Sequence, residues 1–170
     1  NSTGANWSIA SMVNMCSGLP MKVPARPNSY GSADNFLPGA TTLGDILKEQ
    51  GYNQTVMFGA EAAFGGLEYL FRQHGDYKIM DWKYAHDNGM IPEDYYVWWG
   101  YEDDKLYEFA KDELTRLANE DKPFYFVMET ADTHFPDGYL SEKATAPFEK
   151  PYANAIFYSQ AEAAKFIRWI

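Results

Sequence analysis

The chain has 170 residues, with 14 Lys and Arg against 24 Asp and Glu, for a formal charge of −10. Its cations are scattered singly, so they cannot build the phosphate-tracking surface that nucleic acid requires, and 46% hydrophobic with 17% aromatic residues is too rich for disorder. One ordinary domain with a core of its own is the expectation. The sequence contains no run of about 20 apolar residues of the kind that could cross a bilayer. The single cysteine, Cys16, excludes an internal disulfide and a Cys-based zinc cluster. The chain opens on NSTGANWS, with no Met and no leader-like segment, and closes within the amphipathic FIRWI, so the expectation is an internal piece of a longer protein.

From Trp7 to Ser17 an apolar, small-residue run ends at Gly18 and Pro20, the order of a short helix with its stop, and Ser8 falls at or next to its N-terminus. A Pro/Gly/Asn-rich loop, Pro20 to Gly39, leads to TTLGDILKEQG, a helix with Leu43, Ile46, Leu47 and Gln50 on one face and Gly51 as its C-terminal stop. Thr55 to Phe58 reads as a buried strand, followed by a helix through Leu67, Leu70 and Phe71 to Gly75 and a weaker strand from Tyr77 to Met80. Asp81 to Tyr101 lacks periodicity and is dense in aromatics, so an ordered loop is expected. Asp103 to Asn119 is a helix on the spacing of Leu106, Ala110, Leu114 and Leu117. Pro123 to Thr130 reads as an apolar strand covered on both faces. A polar loop, ADTHFPDGY, and a helix from Ala155 to Ile170 follow.

Alternating helices and strands with glycine-marked turns mean an α/β architecture, a largely parallel sheet flanked by helices. Ligands gather at the carboxyl ends of such strands, which directs attention to FGAE and TADTHFPDG. Ser8 is a candidate nucleophile, because a hydroxyl at a helix N-terminus lies among unpaired N–H groups in the positive end of the dipole; the same position suits a capping residue. His134, at a strand end and flanked by Asp132, Thr133 and Asp137, is a candidate phosphate or metal contact. Glu61 could touch a ligand or complement the start of the following helix. His74 is read as a cation at a helix C-terminus, His86 has no evident partner, and Glu102, Asp103 and Asp104 as acids at a helix start. Tyr95, Tyr96, Trp98 and Trp99 either stack on a sugar or pack their loop. No Gly-rich phosphate loop, HExxH or EF-hand pattern occurs.

In order, GANWSIASMVNMCSGLPM, FLPGATTLGDILKEQGYNQTVMFGAEAAFGG, FRQHGDY, WWGYEDDKLYEFAKDEL and KPFYFVMETADTHFPDGYL resemble successive blocks of the bacterial phosphoglycerol transferases, which include the lipoteichoic acid synthase type, within the sulfatase and alkaline phosphatase superfamily. The resemblance covers nearly the whole chain and is most specific in FLPGATTLGDILKEQGY and DTHFPDGY. It implies an alkaline phosphatase-like layered sandwich, incomplete here, with residues 1–170 as the N-terminal to middle portion of one catalytic domain and no internal boundary. It also implies that Ser8, directly after Trp7 in WSIASM, stands where the family places its hydroxyl nucleophile, commonly Thr. Gly18 matches the glycine that closes this helix, and His134 the histidine that contacts the substrate phosphate.

The implied reaction moves glycerol phosphate from phosphatidylglycerol to a glucan or teichoic acid acceptor through a phosphoserine, with a divalent metal, Mn or Mg rather than Zn or Ca. By that resemblance Ser8 is the metal ligand within this chain and the others lie outside it, leaving the chain inactive alone. His134 is the implied substrate contact, and Glu61, just past the Thr55 strand, is expected as a second. The parent would be anchored to the bacterial membrane through segments outside this chain and work outside the cytoplasm. The family often carries a basic residue or Trp near Gly65, Gly66 and Leu67, and this sequence does not. Two other readings are a sulfatase-type hydrolase, which lacks here the C/S-x-P-S-R context of formylglycine formation, and a non-catalytic envelope carbohydrate-binding domain built on Tyr95 to Trp99.

Overall fold

The structure is a computed structural model and describes residues 5, 7–21 and 35–170. Most of the loop expected over Pro20 to Gly39, residues 22–34, lies outside the described residues. The chain divides into two compact units, one of residues Asn1–Val56, Ala62–Met80 and Leu117–Val127, the other of Met57–Glu61, Asp81–Arg116 and Met128–Ile170.

In the first unit α1 (Ser8–Ser17) buries Ile9, Ala10, Met12, Val13 and Cys16, one stripe at helical spacing, and stops at Gly18 in the left-handed region (φ 71), whose N–H returns to the Asn14 carbonyl. α2 (Leu43–Glu49) begins with a capping box: Thr42 Oγ1 accepts from Asp45 N–H at 3.2 Å, and Asp45 Oδ2 accepts from Thr42 N–H at 2.9 Å. Burial alone would raise the Asp45 carboxyl. The Thr42 N–H, His74 and the Thr42 hydroxyl outweigh it and hold Asp45 below the usual carboxylate range.

The expected apolar face of α2 is not its buried face: Leu43 is 38% and Ile46 50% exposed, whereas Gly44 is buried. A Cβ at Gly44 would lie 2.6 Å from the Tyr77 ring and 2.7 Å from the His74 carbonyl oxygen, so the helix approaches through the residue that has no side chain.

β1 (Asn53–Phe58) is buried from Gln54 onward. The Gln54 amide donates to the carbonyls of Gly44 (2.9 Å) and Gly75 (2.7 Å), tying the strand to α2 and to the turn at Gly75. A 3-10 turn (Phe64–Gly66) leads into α3 (Leu67–Gln73), which buries Leu67, Leu70 and Phe71. β2 (Lys78–Met80) follows. β2, β1 and β3 (Phe124–Glu129) form a parallel three-stranded sheet in that order, as the α/β reading expects. β3 departs from expectation, because only Val127 of its six residues is buried and Phe124 is 37% exposed.

In the second unit α4 (Trp82–Asp87) stands inside the segment expected as loop. Its signal is Asp81, whose side chain accepts from Tyr84 N–H at 2.8 Å as an N-cap. α5 (Asp103–Ala118) buries Leu106, Tyr107 and Ala110, and Tyr107 packs on Phe166 of α6 (Pro151–Trp169) at 5.1 Å. α6 starts at a proline in its first turn, four residues earlier than expected.

Asp103 and Asp104 do more than complement a helix start, since both are buried. Asp103 accepts from the backbone N–H groups of Ala131 (2.8 Å) and Asp132 (3.1 Å), and Asp132 accepts in return from Asp103 N–H (3.2 Å). Asp104 accepts from Ser141 Oγ (2.5 Å) and Tyr158 OH (3.0 Å). The α5 N-terminus is thereby clasped to the loop that carries His134.

Candidate functional site

Ser8 is the first residue of α1, and its position at the helix N-terminus is as the sequence reads. The N-cap is Trp7, extended at φ −147 and ψ 164, and no side chain caps the helix. Ser8 is therefore not the capping residue. It is exposed, beside the N–H groups that the first turn of a helix leaves without intrahelical acceptors. Those donors and the dipole favour negative charge at this hydroxyl or on a phosphoryl group bound to it. Cys16, on the buried face of the same helix, is pushed up to about 11 by burial and is no reactive thiol.

Glu61 and His134 belong to the second unit. Glu61 is exposed after the isolated bridge between Ala60 and Gly100. It does not sit in the first turn of the following helix, where Glu68 is the acid. His134 is exposed in the turn after β3, its N–H donating to the Ala131 carbonyl at 2.8 Å and its carbonyl accepting from Gly138 at 3.0 Å. Its Nδ1 lies 2.6 Å from the Phe135 carbonyl oxygen. A carbonyl only accepts, so Nδ1 carries a proton and Nε2 is the nitrogen left for a ligand. The peptide between Phe135 and Pro136 is cis. Among the described residues no hydrogen bond joins Glu61 to His134.

The other two histidines are structural. Both His74 nitrogens face acceptors, Asp45 Oδ2 at 3.0 Å and the Phe36 carbonyl at 2.7 Å. His86, for which the sequence offered no partner, sits on α4 with Nδ1 3.2 Å from Asp87 Oδ1 and its ring stacked on Trp82 at 5.2 Å.

Two features around His134 were not legible beforehand. One is the Asp103 and Asp132 clasp. Burial first, then the mutual charge, pushes Asp132 up, and burial outweighs two backbone hydrogen bonds to push Asp103 up as well. Asp132 Oδ1 is buried without a partner. The other is the turn at Trp98 and Trp99. Val97 and Gly100 exchange backbone hydrogen bonds of 2.8 and 3.0 Å, which makes the two tryptophans the central residues of a tight turn. Trp98 adopts φ 61, a left-handed conformation that costs a bulky residue about 1–3 kcal/mol. Gly100 closes the turn at φ 153, and a Cβ there would stand 2.1 Å from the Gly59 carbonyl oxygen. Trp99 and His134 meet in a T-shaped contact, ring centres 4.1 Å apart and planes at 64°.

Among the described residues no group of three His, Cys, Asp or Glu side chains gathers where a metal ion could sit. By itself the described chain does not fit a complete metal centre, and Ser8 Oγ is at most one ligand of it.

A parallel sheet flanked by helices, with a hydroxyl at the N-terminus of an early helix, is of the α/β class, and the sulfatase family model matches residues 2–170. The chain belongs to that family. It is 39% identical over 138 residues to phosphoglycerol transferase I of Xanthomonas campestris pv. campestris, covering 81% of this chain and 20% of the relative. It is 32% identical over 141 residues to phosphoglycerol transferase I of Escherichia coli O127:H6, covering 81% and 18%. Among solved structures, a protein of the alkaline phosphatase superfamily from Vibrio parahaemolyticus is similar at TM-score 0.68 and 27% identity, over 92% of this chain and 37% of that one. The lipoteichoic acid synthase LtaP from Listeria monocytogenes shares the fold at TM-score 0.73 and 15% identity, over 94% and 38%. The chain thus spans about a fifth of the length of these curated relatives. No helix among the described residues is long and apolar enough to cross a membrane.

Proposed function

We propose that the complete protein is a metal-dependent phosphoglycerol transferase that moves glycerol phosphate from phosphatidylglycerol to a glucan or teichoic acid acceptor, with Ser8 as the nucleophile. The observation that carries the reading is Ser8 itself, exposed and uncapped at the start of α1 in a chain whose relatives are named phosphoglycerol transferases. Ser8 Oγ attacks the phosphorus of the donor, the bond to the diacylglycerol oxygen breaks, and diacylglycerol leaves with the serine proton. An acceptor hydroxyl then attacks the phosphoserine, its proton returns to Ser8, and the glycerol phosphate passes on. The helix N-terminus favours the charge that develops at Ser8 in both steps.

His134 and Glu61 are proposed as substrate contacts, and a divalent cation, manganese or magnesium rather than zinc or calcium, as the cofactor. Such an ion would neutralise phosphoryl oxygens; its ligands beyond Ser8 belong outside these 170 residues, and the 170 residues alone are expected to be inactive. The work is proposed to take place outside the cytoplasm at the bacterial membrane, where the donor lipid is, with membrane attachment through segments outside this chain and no nucleic acid among the partners.

In the complete protein Ser8→Ala is expected to lower release of glycerol phosphate from phosphatidylglycerol vesicles by at least about a thousandfold, and Ser8→Thr to retain activity. Wild-type release by Ser8→Ala would remove Ser8 from the reaction.

A further inference from the structure

Asp103 is the first residue of α5, a position from which a carboxylate ordinarily complements the open N–H groups of its own helix. Here it turns outward. One carboxylate oxygen accepts from Ala131 N–H at 2.8 Å and the other from Asp132 N–H at 3.1 Å, while the open N–H of Asp103 itself donates to Asp132 Oδ2 at 3.2 Å. Capping the helix requires only the last of these bonds, so the other two serve the loop. The peptide that joins Ala131 to Asp132 is held at both poles: its N–H by Asp103, and its carbonyl by His134 N–H at 2.8 Å. The turn is closed on its far side by Tyr139 N–H, which donates to the Asp132 carbonyl at 2.7 Å, and from α6 Tyr152 OH donates to the Thr133 carbonyl at 2.9 Å. Asp103 is 4% and Asp132 2% exposed, so water does not replace a bond lost between them. The His134 side chain, by contrast, stands exposed on this pinned backbone, the arrangement of a group held rigidly for contact with a ligand.

We propose that Asp103 is the positioning residue for His134: its carboxylate orients the peptide between Ala131 and Asp132, and through that peptide the turn from which the imidazole reaches the substrate phosphate. The inference rests on the transferase reading, which gives His134 a phosphate to contact, and it extends that reading to a buried side chain that touches no substrate itself. Positioning of this kind carries weight because a reacting or binding group displaced by about 1 Å loses on the order of a hundredfold in rate.

Two measurements on the complete protein test it: hydrogen exchange by mass spectrometry over residues 131–139, and release of glycerol phosphate from phosphatidylglycerol vesicles. Asp103→Asn keeps one acceptor oxygen and sets an amide N–H group against a backbone N–H in place of the other. It is expected to speed exchange over residues 131–139 at least about tenfold while β1 exchanges as in wild type, and to slow release at least about tenfold. A general loss of structure slows release whether or not the imidazole is present, whereas positioning acts only through the ring. In a His134→Ala background Asp103→Asn is therefore expected to lower the residual rate by less than about twofold. An equal fold-loss in the two backgrounds overturns the proposal, as does unchanged exchange over residues 131–139. Should Asp103→Asn fail to fold, Asp103→Glu, which keeps the charge and both oxygens one methylene further out, is read in the same two backgrounds with the same expectations. Absence of release by the unsubstituted protein sinks the transferase reading instead, and the exchange measurement then decides by itself whether Asp103 holds the turn.

Discussion

His134 shows how one hydrogen bond sets the terms for a proposed substrate contact. Its Nδ1 proton is spent on the Phe135 carbonyl at 2.6 Å, so Nε2 offers a lone pair when the ring is neutral and an N–H only when the ring is doubly protonated. Binding a phosphate oxygen requires the second form, whereas binding a metal requires the first. Glutamine supplies a neutral donor in either case but no charge. In the complete protein His134→Gln is expected to lower transfer at least about tenfold, the order of one weakened transition-state hydrogen bond, with metal content unchanged by elemental analysis. Metal lost in step with activity would make His134 a ligand, and unchanged activity would leave it a surface histidine. The place of Ser8 at a helix start was legible from the chain because its signal is local: a small-residue helix after it and Gly18 at the stop. The partners of Asp103 and His74 were not, because they lie 28 to 38 residues away and no local pattern encodes such pairings.

Among the elements, helices with local signals were readable and their packing was not. α2 announces itself through the spacing of Leu43, Ile46, Leu47 and Gln50 and through Gly51, yet that spacing chose as its inner face Leu43 and Ile46, which are exposed, and the structure buries Gly44. A glycine carries no hydropathy signal, so a close approach through it is invisible to any moment calculation. Gly44→Ala tests the point because two effects of opposite sign meet there. Helix propensity alone favours alanine by about 1 kcal/mol. The new Cβ would stand 2.7 Å from a backbone oxygen and 2.6 Å from the Tyr77 ring, and overpacking of that kind costs about 1–3 kcal/mol. The variant is expected to be less stable than wild type by urea denaturation, and a stabilised variant would show that α2 packs elsewhere. α4 was missed because its apolar residues are aromatics without helical spacing, so only the Asp81 cap marks it. β3 has the apolar run of a strand covered on both faces, yet five of its six residues are not buried. The relatives carry roughly five times the matched length, and coverage by residues outside a chain leaves no trace in the chain's own pattern.

At the scale of the whole molecule the excess of acid, 24 carboxylates against 14 cations, joins with aspartates of two kinds, the half-buried Asp45 and the buried Asp103 and Asp132, to set the pH response of stability. Asp45 is held below the usual carboxylate range, so what it contributes is present above about pH 4, the ordinary value, and is lost as pH falls. Asp103 and Asp132 have the opposite sign. Burial raises them to about 6 and about 8, so the folded chain keeps protons that the unfolded chain gives up above about pH 4. Their contribution is complete below that pH and declines as pH rises through 6 and 8. The orphaned Asp132 Oδ1 agrees with this direction, since a proton there spares the interior a bare charge. Asp132→Asn keeps an acceptor for the Asp103 N–H and removes the titration. Between about pH 5 and 8 the unfolding free energy of wild type is expected to fall relative to that of Asp132→Asn by more than about 1 kcal/mol, read from urea midpoints of the complete protein at each pH. Parallel curves for the two proteins would mean that Asp132 is already ionised in the fold and that the clasp to α5 holds a charged pair.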